Sequence, residues 1–171
     1  MFAYRQGSVK GTLAPQMETH RVRTMIVEVA TELAAPPERV WETLKKVDTL
    51  RYITRGLLGF RPLGPVSDDL GPGDVIRVRL LFFHVIPAWT HEIRISEIDE
   101  EGRRIETTEH GGAVKTWNHR LTVESVGAGR SRYTDRIEIE AGAMTRLVWT
   151  YANLFYRYRQ WRWRRLARTL Q

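Results

Sequence analysis

Cysteine is absent from this 171-residue chain, and its absence removes several classes of function at once. Without cysteine there is no disulfide framework, no thiolate nucleophile and no cysteine-ligated zinc or iron–sulfur centre. Long apolar runs are also missing, since no stretch approaches the roughly 18 to 20 residues that a membrane-spanning helix needs. The N-terminus lacks a positively charged start followed by an apolar segment, so we expect no signal peptide and a cytoplasmic protein.

Acidic residues are fewer than basic ones, with 20 Asp and Glu against 27 Lys and Arg, so the formal net charge is +7. The excess is local, because residues 157–168 carry six arginines and no acid. Such a distribution indicates one basic helix rather than a basic domain, so we do not expect nucleic acid as a partner.

The chain divides into an N-terminal arm and one domain. Residues 1–20 show no hydrophobic periodicity and contain Gly7, Ser8, Gly11 and Pro15, which predicts a flexible arm. Residues 21–171 are long enough to bury a core of their own. In this domain the patterns predict a strand over 22–33, helices over 36–47 and 48–53, a loop over 55–73 with a short strand near 57–61, strands over 74–86, 89–98, 103–110, 115–126 and 132–140, and a long helix over 144–170.

The predicted order is a strand, two short helices, a meander of antiparallel strands and a long closing helix. The joint between the first strand and helix reads Ala34-Ala35-Pro36-Pro37-Glu38-Arg39-Val40-Trp41, and Pro37 suits the first helical turn. This joint, with the final strand and helix, resembles the START and birch-pollen-allergen (SRPBCC) superfamily over about residues 22–170, including its polyketide cyclase/dehydrase-like proteins.

The resemblance implies an α+β helix-grip fold, in which a curved antiparallel sheet wraps around the long C-terminal helix and encloses a cavity. Across the superfamily that cavity takes lipids, sterols, polyketides and other hydrophobic molecules, and a minority of members are enzymes. We see no two-histidine-one-carboxylate motif of the oxygenase branch and predict no cofactor and no resident metal.

Polar residues on the predicted inner faces of the strands are the candidates for chemistry. A two-residue turn at Pro87-Ala88 would place His84 directly opposite His91. Continuing that register brings Glu109 near His91, and the last hairpin brings His119 and Asp135 to one face, about a diagonal apart.

Three interpretations of these residues stay open. In the first, they are core groups whose hydrogen bonds are satisfied within the protein. In the second, they bind a ligand's polar end or act as acid and base, with His119 or His91 assisted by Asp135 or Glu109. In the third, His84, His91 and Glu109 hold a metal, although their spacing matches no recognised zinc motif. A hydrolytic triad is not supported, because no nucleophile is evidently positioned beside them.

Aromatic side chains also recur on the inner faces. We assign Trp41 to the core and expect a flat-walled ligand pocket near the others. The predicted ligand-binding residues are Phe82, His84, Trp89, Trp117, Tyr133 and Tyr151.

The C-terminal helix shows an apolar stripe that predicts its inward face. The stripe consists of Leu147, Tyr151, Leu154, Tyr158 and Trp161. Its arginines favour a solvated basic end, while the interleaved aromatics and arginines of residues 156–165 suit transient contact with anionic lipid or, less well, nucleic acid. The preferred function is binding of a small hydrophobic or aromatic ligand, with a cyclase/dehydrase-type enzyme and a membrane- or nucleic-acid-binding module as alternatives.

Overall fold

The computed structural model describes residues 24–112 and 114–171, so the predicted N-terminal arm lies outside the described residues. Within them the chain forms seven strands, three α-helices and one 3₁₀ turn. In chain order these are β1 Met25–Leu33, α1 Pro37–Leu44, α2 Val47–Thr54, β2 Leu58–Pro62, β3 Val75–Phe82, β4 Ile86–Asp99, β5 Arg104–Gly111, β6 Val114–Gly127, β7 Arg130–Glu140, the 3₁₀ turn Gly142–Met144 and α3 Thr145–Ala167.

The strands form one antiparallel sheet in the order β1-β7-β6-β5-β4-β3-β2. The first strand pairs with the last, from Met25 opposite Ile139 to Leu33 opposite Ser131. Register shifts interrupt the pairing of β3 with β4, β4 with β5, β5 with β6 and β6 with β7. Such bulges increase the bend and twist of a sheet, so they give this one the curvature it needs to wrap around a helix. The α+β helix-grip prediction is confirmed.

Helix α3 lies in the concave face of the sheet. Trp163, which is fully buried, stacks at a tilt on Tyr133 of β7 with ring centroids 5.1 Å apart. Trp149 donates its indole hydrogen to the Ile26 carbonyl of β1 over 2.7 Å, and Gln160 donates to the Val29 carbonyl. These side-chain bonds fix the helix along β1, and its first turns face β2 to β4 across a cavity.

The predicted turn at Pro87-Ala88 is wrong. Both residues lie in β4, where Pro87 pairs with Leu81, and the chain turns instead at residues 83–85. Pro87 is tolerated because β5 pairs with β4 only from Glu92 onward, so no ladder hydrogen bond is lost on that side. The turn was hard to predict because Phe83 and His84 adopt φ values of +51° and +64° that are usual for Gly, Asn or Asp.

The predicted inward face of α3 is also wrong. Leu147, Leu154 and Trp161 are 64%, 66% and 41% exposed. The buried face instead includes Ala152, Phe155, Tyr156, Arg159, Gln160, Trp163 and Ala167. The apolar stripe does not predict the buried face of α3, because that face contains small and polar residues. The polar residues are buried because they form hydrogen bonds with the sheet.

Candidate functional site

An apolar pocket of about 380 Å³ lies between the first turns of α3 and the concave face of the sheet. Its sheet side includes Phe60, Leu80, Phe82, Trp89, His91 and Trp117. Its helix side consists of Met144, Leu147, Val148, Tyr151 and Phe155. Four of the predicted ligand-binding residues, namely Phe82, Trp89, Trp117 and Tyr151, therefore line one cavity.

Aromatic rings fix the shape of this pocket. Phe82 packs edge-on against both Trp89 and Tyr151, with centroid distances of 5.8 and 6.1 Å. Tyr151 in turn stacks on Phe155 at 5.8 Å. Rings that brace one another in this way keep their rotamers, so the walls are preformed rather than assembled around a ligand.

A buried polar cluster lies at the inner end of the pocket. It consists of His91, Thr107, Glu109, His119, Tyr133, Asp135 and Arg159. Among its members only His91 lines the apolar pocket, whereas Thr107, Glu109, His119 and Arg159 line a second cavity of about 70 Å³. The cluster therefore separates the two cavities.

Glu109 holds His91 in place. The Nε2 atom of His91 lies 3.0 Å from Oε2 of Glu109, and the Thr107 hydroxyl donates to Oε1 over 2.8 Å. Burial raises the pKa of the Glu109 carboxyl, but the His119 and His91 imidazoles lower it by more, so that pKa lies well below its usual range. Glu109 is thus an ionised acceptor, and its predicted closeness to His91 is confirmed.

Asp135 holds His119 in the same way. Its Oδ1 lies 2.9 Å from Nε2 of His119 and accepts the Tyr133 hydroxyl hydrogen over 2.7 Å. Burial raises the pKa of Asp135, but the Arg159 guanidinium, 3.7 Å away, and His119 lower it below its usual value. Burial lowers the pKa of His119, but Asp135 and Glu109 raise it by more, so the imidazole holds its proton more tightly than usual. Asp135 and His119 therefore form a buried, hydrogen-bonded pair.

Two predicted ligand-binding residues lie elsewhere. Tyr133 is fully buried in the polar cluster, with its hydroxyl directed at Asp135. His84 is exposed in the β3–β4 turn and accepts a hydrogen bond from the Gly56 amide over 2.9 Å. His91 pairs with Val78, six residues before His84, so the predicted pairing of the two histidines is wrong by about 20 Å along the strand.

The metal interpretation fails with that pairing, because His84 cannot join His91 and Glu109. Across residues 24–112 and 114–171, no group of three or more His, Asp or Glu side chains is arranged to hold a metal ion.

Arg159 is the charged cluster member that the sequence pattern does not predict. The pattern places it in a solvated basic helix end, but its side chain is buried over the Tyr156 ring, 4.8 Å from the centroid. A signal did exist: Asp135 was predicted to face inward, and a buried carboxylate requires a cationic or hydrogen-bonding partner. Ala152, Tyr156, Arg159 and Trp163 follow at three- and four-residue steps, which places Arg159 on the buried face.

The architecture is the START and birch-pollen-allergen-like (SRPBCC-like) helix-grip fold, as the resemblance predicted. Residues 31–170 match the family described as a domain of unknown function (DUF8410), and the chain belongs to that family. Among curated proteins, none matches this sequence.

Solved structures with the same fold are distant in sequence. A protein from Chromobacterium violaceum is 16% identical, with a TM-score of 0.67 over 83% of this chain and 96% of its own. A START superfamily protein from Mycobacterium smegmatis is 13% identical, with a TM-score of 0.66 over 85% and 99%. Norcoclaurine synthase from Thalictrum flavum, solved with dopamine and hydroxybenzaldehyde, is 13% identical, with a TM-score of 0.56 over 88% and 95%. At these identities the likeness establishes the fold.

In the part of the chain that the structure describes, no helix combines the length and apolar character needed to cross a bilayer.

Proposed function

We propose that this protein binds a small hydrophobic or aromatic molecule in the apolar pocket between α3 and the sheet. The observation that carries the proposal is the pocket itself, about 380 Å³ in volume and walled almost entirely by aromatic and aliphatic side chains. Cavities of this size and composition are typical of small-molecule sites. An apolar ligand would gain contacts with rings that already hold their positions, so little ordering opposes binding.

Filling the pocket from within tests this proposal. Val148 is half-buried and lines the pocket, so Val148→Trp places an indole where the ligand would lie. We expect the wild type to bind the neutral fluorophore N-phenyl-1-naphthylamine and Val148→Trp to bind it at least about tenfold more weakly. Fluorescence titration measures both affinities.

Leu154→Trp is the matched control. It adds the same side chain to the same helix at a position that is 66% exposed and does not line the pocket. Its affinity should equal that of the wild type. Equal losses in both variants, or none in Val148→Trp, would count against binding in this pocket.

An enzyme of the polyketide cyclase/dehydrase type is the second candidate. The observation in its favour is His91, an imidazole on the pocket wall whose far nitrogen contacts an ionised carboxylate, as in an oriented general base. His119 and Asp135 form a similar pair one layer deeper. Catalysis predicts that a ligand extracted from the protein is converted to product and that His91→Ala abolishes turnover without abolishing binding.

The mouth of the pocket favours an anionic membrane as the place where the ligand enters. Its lining residues all lie in stretches without Asp or Glu, namely residues 49–67, 75–91, 110–123 and 141–171. Beside the mouth, Phe83 and Val85 of the β3–β4 turn and Leu147 of α3 are 61%, 73% and 64% exposed. Exposed apolar groups beside a pocket that no acidic side chain lines suit the surface of a bilayer with anionic lipids.

The aromatic–arginine segment of α3 contributes less to this face than its sequence suggests. Tyr156, Arg159 and Trp163 are buried, and Arg162 donates to the Tyr52 carbonyl over 2.9 Å. The residues of this segment that are exposed to solvent are Arg157, Trp161, Arg164 and Arg165.

Flotation with liposomes tests the membrane contact. We expect the wild type to float with vesicles of phosphatidylglycerol and phosphatidylcholine more than with phosphatidylcholine alone, and Val85→Glu to reduce flotation severalfold. Ile26→Glu is the control, because Ile26 is also exposed but lies on β1, at the opposite edge of the sheet from β2. Equal flotation of Val85→Glu and the wild type would contradict the contact.

A further inference from the structure

Two polar atoms that belong to residues of the pocket wall have no partner within the described part of the chain. They are Nδ1 of His91 and Nε1 of Trp89, and both are buried. The two residues are two positions apart on β4, so they share one face with Cα atoms about 7 Å apart. A buried polar atom without a partner is destabilising unless something else, such as a bound molecule, supplies the hydrogen bond.

The contact with Glu109 determines what His91 can offer. The ionised Glu109 carboxylate can only accept, so the 3.0 Å contact requires the proton on Nε2 of His91. In the neutral imidazole, Nδ1 then carries a lone pair and is an acceptor. The Trp89 indole N–H can only donate. Two lining residues on one face of β4 therefore hold one buried, unpaired acceptor and one buried, unpaired donor.

Glycine at position 111 keeps the edge of the imidazole clear. A Cβ atom there would lie 2.9 Å from Nδ1 of His91 and 2.5 Å from the Thr90 carbonyl oxygen. Any side chain at this position would therefore collide with the imidazole and with the β4 backbone, and glycine avoids both contacts.

We propose that the pocket recognises a hydroxyl group on its hydrophobic ligand, with the O–H donating to Nδ1 of His91 and the oxygen accepting from the Trp89 indole. This inference rests on the proposed function and narrows it to alcohols and phenols. A hydroxyl satisfies both wall atoms at once, because it is a donor and an acceptor. An ether offers no donor to His91, and a carboxylate offers none either and would lie close to the negative Glu109.

Three probes of matched shape test the inference, namely 4-propylphenol, 4-propylanisole and propylbenzene. Their dissociation constants are measured by ¹H–¹⁵N NMR titration of the wild type and of His91→Leu, Trp89→Phe and Trp117→Phe. Trp117 is the control, since it lines the same pocket but already donates its indole hydrogen to the Tyr156 hydroxyl over 3.3 Å. The NMR spectrum of each variant also shows whether it is folded.

The preference for the phenol over the ether should fall about tenfold in His91→Leu, and the preference for the phenol over propylbenzene should fall severalfold in Trp89→Phe. Trp117→Phe should change the affinities of all three probes by similar factors and leave the preference intact. An unchanged preference in both His91→Leu and Trp89→Phe, with all probes still bound, would overturn the hydroxyl site alone. If none of the probes bound the wild type, the proposed function itself would be overturned, and this inference with it.

Discussion

Asp135 is fully buried, and its Oδ1 atom accepts from Tyr133 and contacts both His119 and Arg159. Removing one member of a buried set of charged side chains is far more destabilising than replacing the whole set with apolar residues. The reason is that the remaining charges stay buried without their partner. The contribution of Asp135 to stability therefore depends on the charges around it, and a neutral isostere exposes that dependence.

Asp135→Asn should lower the free energy of unfolding by about 3 kcal/mol, because it leaves the buried Arg159 guanidinium without its carboxylate. Urea denaturation followed by circular dichroism measures the change. Glu138→Gln, a neighbouring substitution on the same strand outside the cluster, should change it by less than about 0.5 kcal/mol. Similar values for the two variants would show that the cluster does not depend on the Asp135 charge.

The same carboxylates predict how stability varies with pH. The pKa values of Asp135 and Glu109 are lowered on folding, so the unfolded chain binds more protons as the pH approaches its ordinary carboxyl pKa values of about 4. Their contribution is present above about pH 4.5 and is lost as the pH falls through the folded values. His119, with its raised pKa, acts in the opposite sense, and its contribution is lost as the pH rises above about 6.5.

Urea titrations from pH 3 to 7 should therefore show a falling free energy of unfolding on the acid side, with a shallower fall in Glu109→Gln than in the wild type. Parallel curves would mean that Glu109 is not ionised in the folded protein.

At the scale of secondary-structure elements, two of the three tryptophans of α3 lie two residues apart in opposite environments. Trp163 is fully buried against Tyr133, whereas Trp161 is 41% exposed. The orientation of the helix that places Trp163 inward also buries Arg159 and leaves Leu147 at the pocket mouth. Stability measurements on the two tryptophans therefore test the orientation on which both the cluster and the pocket depend.

Trp163→Ala should lower the free energy of unfolding by about 3 to 5 kcal/mol, because it removes a large side chain from the core and leaves a cavity. Trp161→Ala should cost less than about 1 kcal/mol. Thermal and urea denaturation of the two variants provide the comparison. A larger loss of stability in Trp161→Ala than in Trp163→Ala would indicate that the apolar stripe containing Trp161 faces the sheet, as the hydrophobic pattern predicted.

At the scale of the whole molecule, the fold could be predicted from the sequence because strands and turns leave local signals. These signals are the alternation of apolar and polar residues along a strand and the residue types that turns prefer. The buried pattern of β7, with Tyr133, Asp135, Ile137 and Ile139 facing inward, follows directly from the two-residue period of a strand. The same period brought His119 and Asp135 to one face, and their contact is found at 2.9 Å.

The parts of the site that could not be predicted depend on tertiary context. Pro87 is acceptable within β4 only because β5 ends before it, which no local pattern reveals. Arg159 is buried only because Asp135 and Tyr133 lie opposite, so hydrophobicity alone assigned it to solvent. The pocket lining combines residues from four stretches that lie far apart in the chain, and its lack of acidic side chains emerges only once they are brought together.

The most direct test of the central claim is native mass spectrometry of wild-type and Val148→Trp protein purified from cells, with organic extraction of whatever is bound. Pocket binding predicts a stoichiometric hydrophobic molecule in the wild type that is absent or strongly depleted in Val148→Trp. A wild-type protein that carries no such molecule and takes none up from a whole-cell lipid extract would contradict the claim, as would equal occupancy of the two proteins.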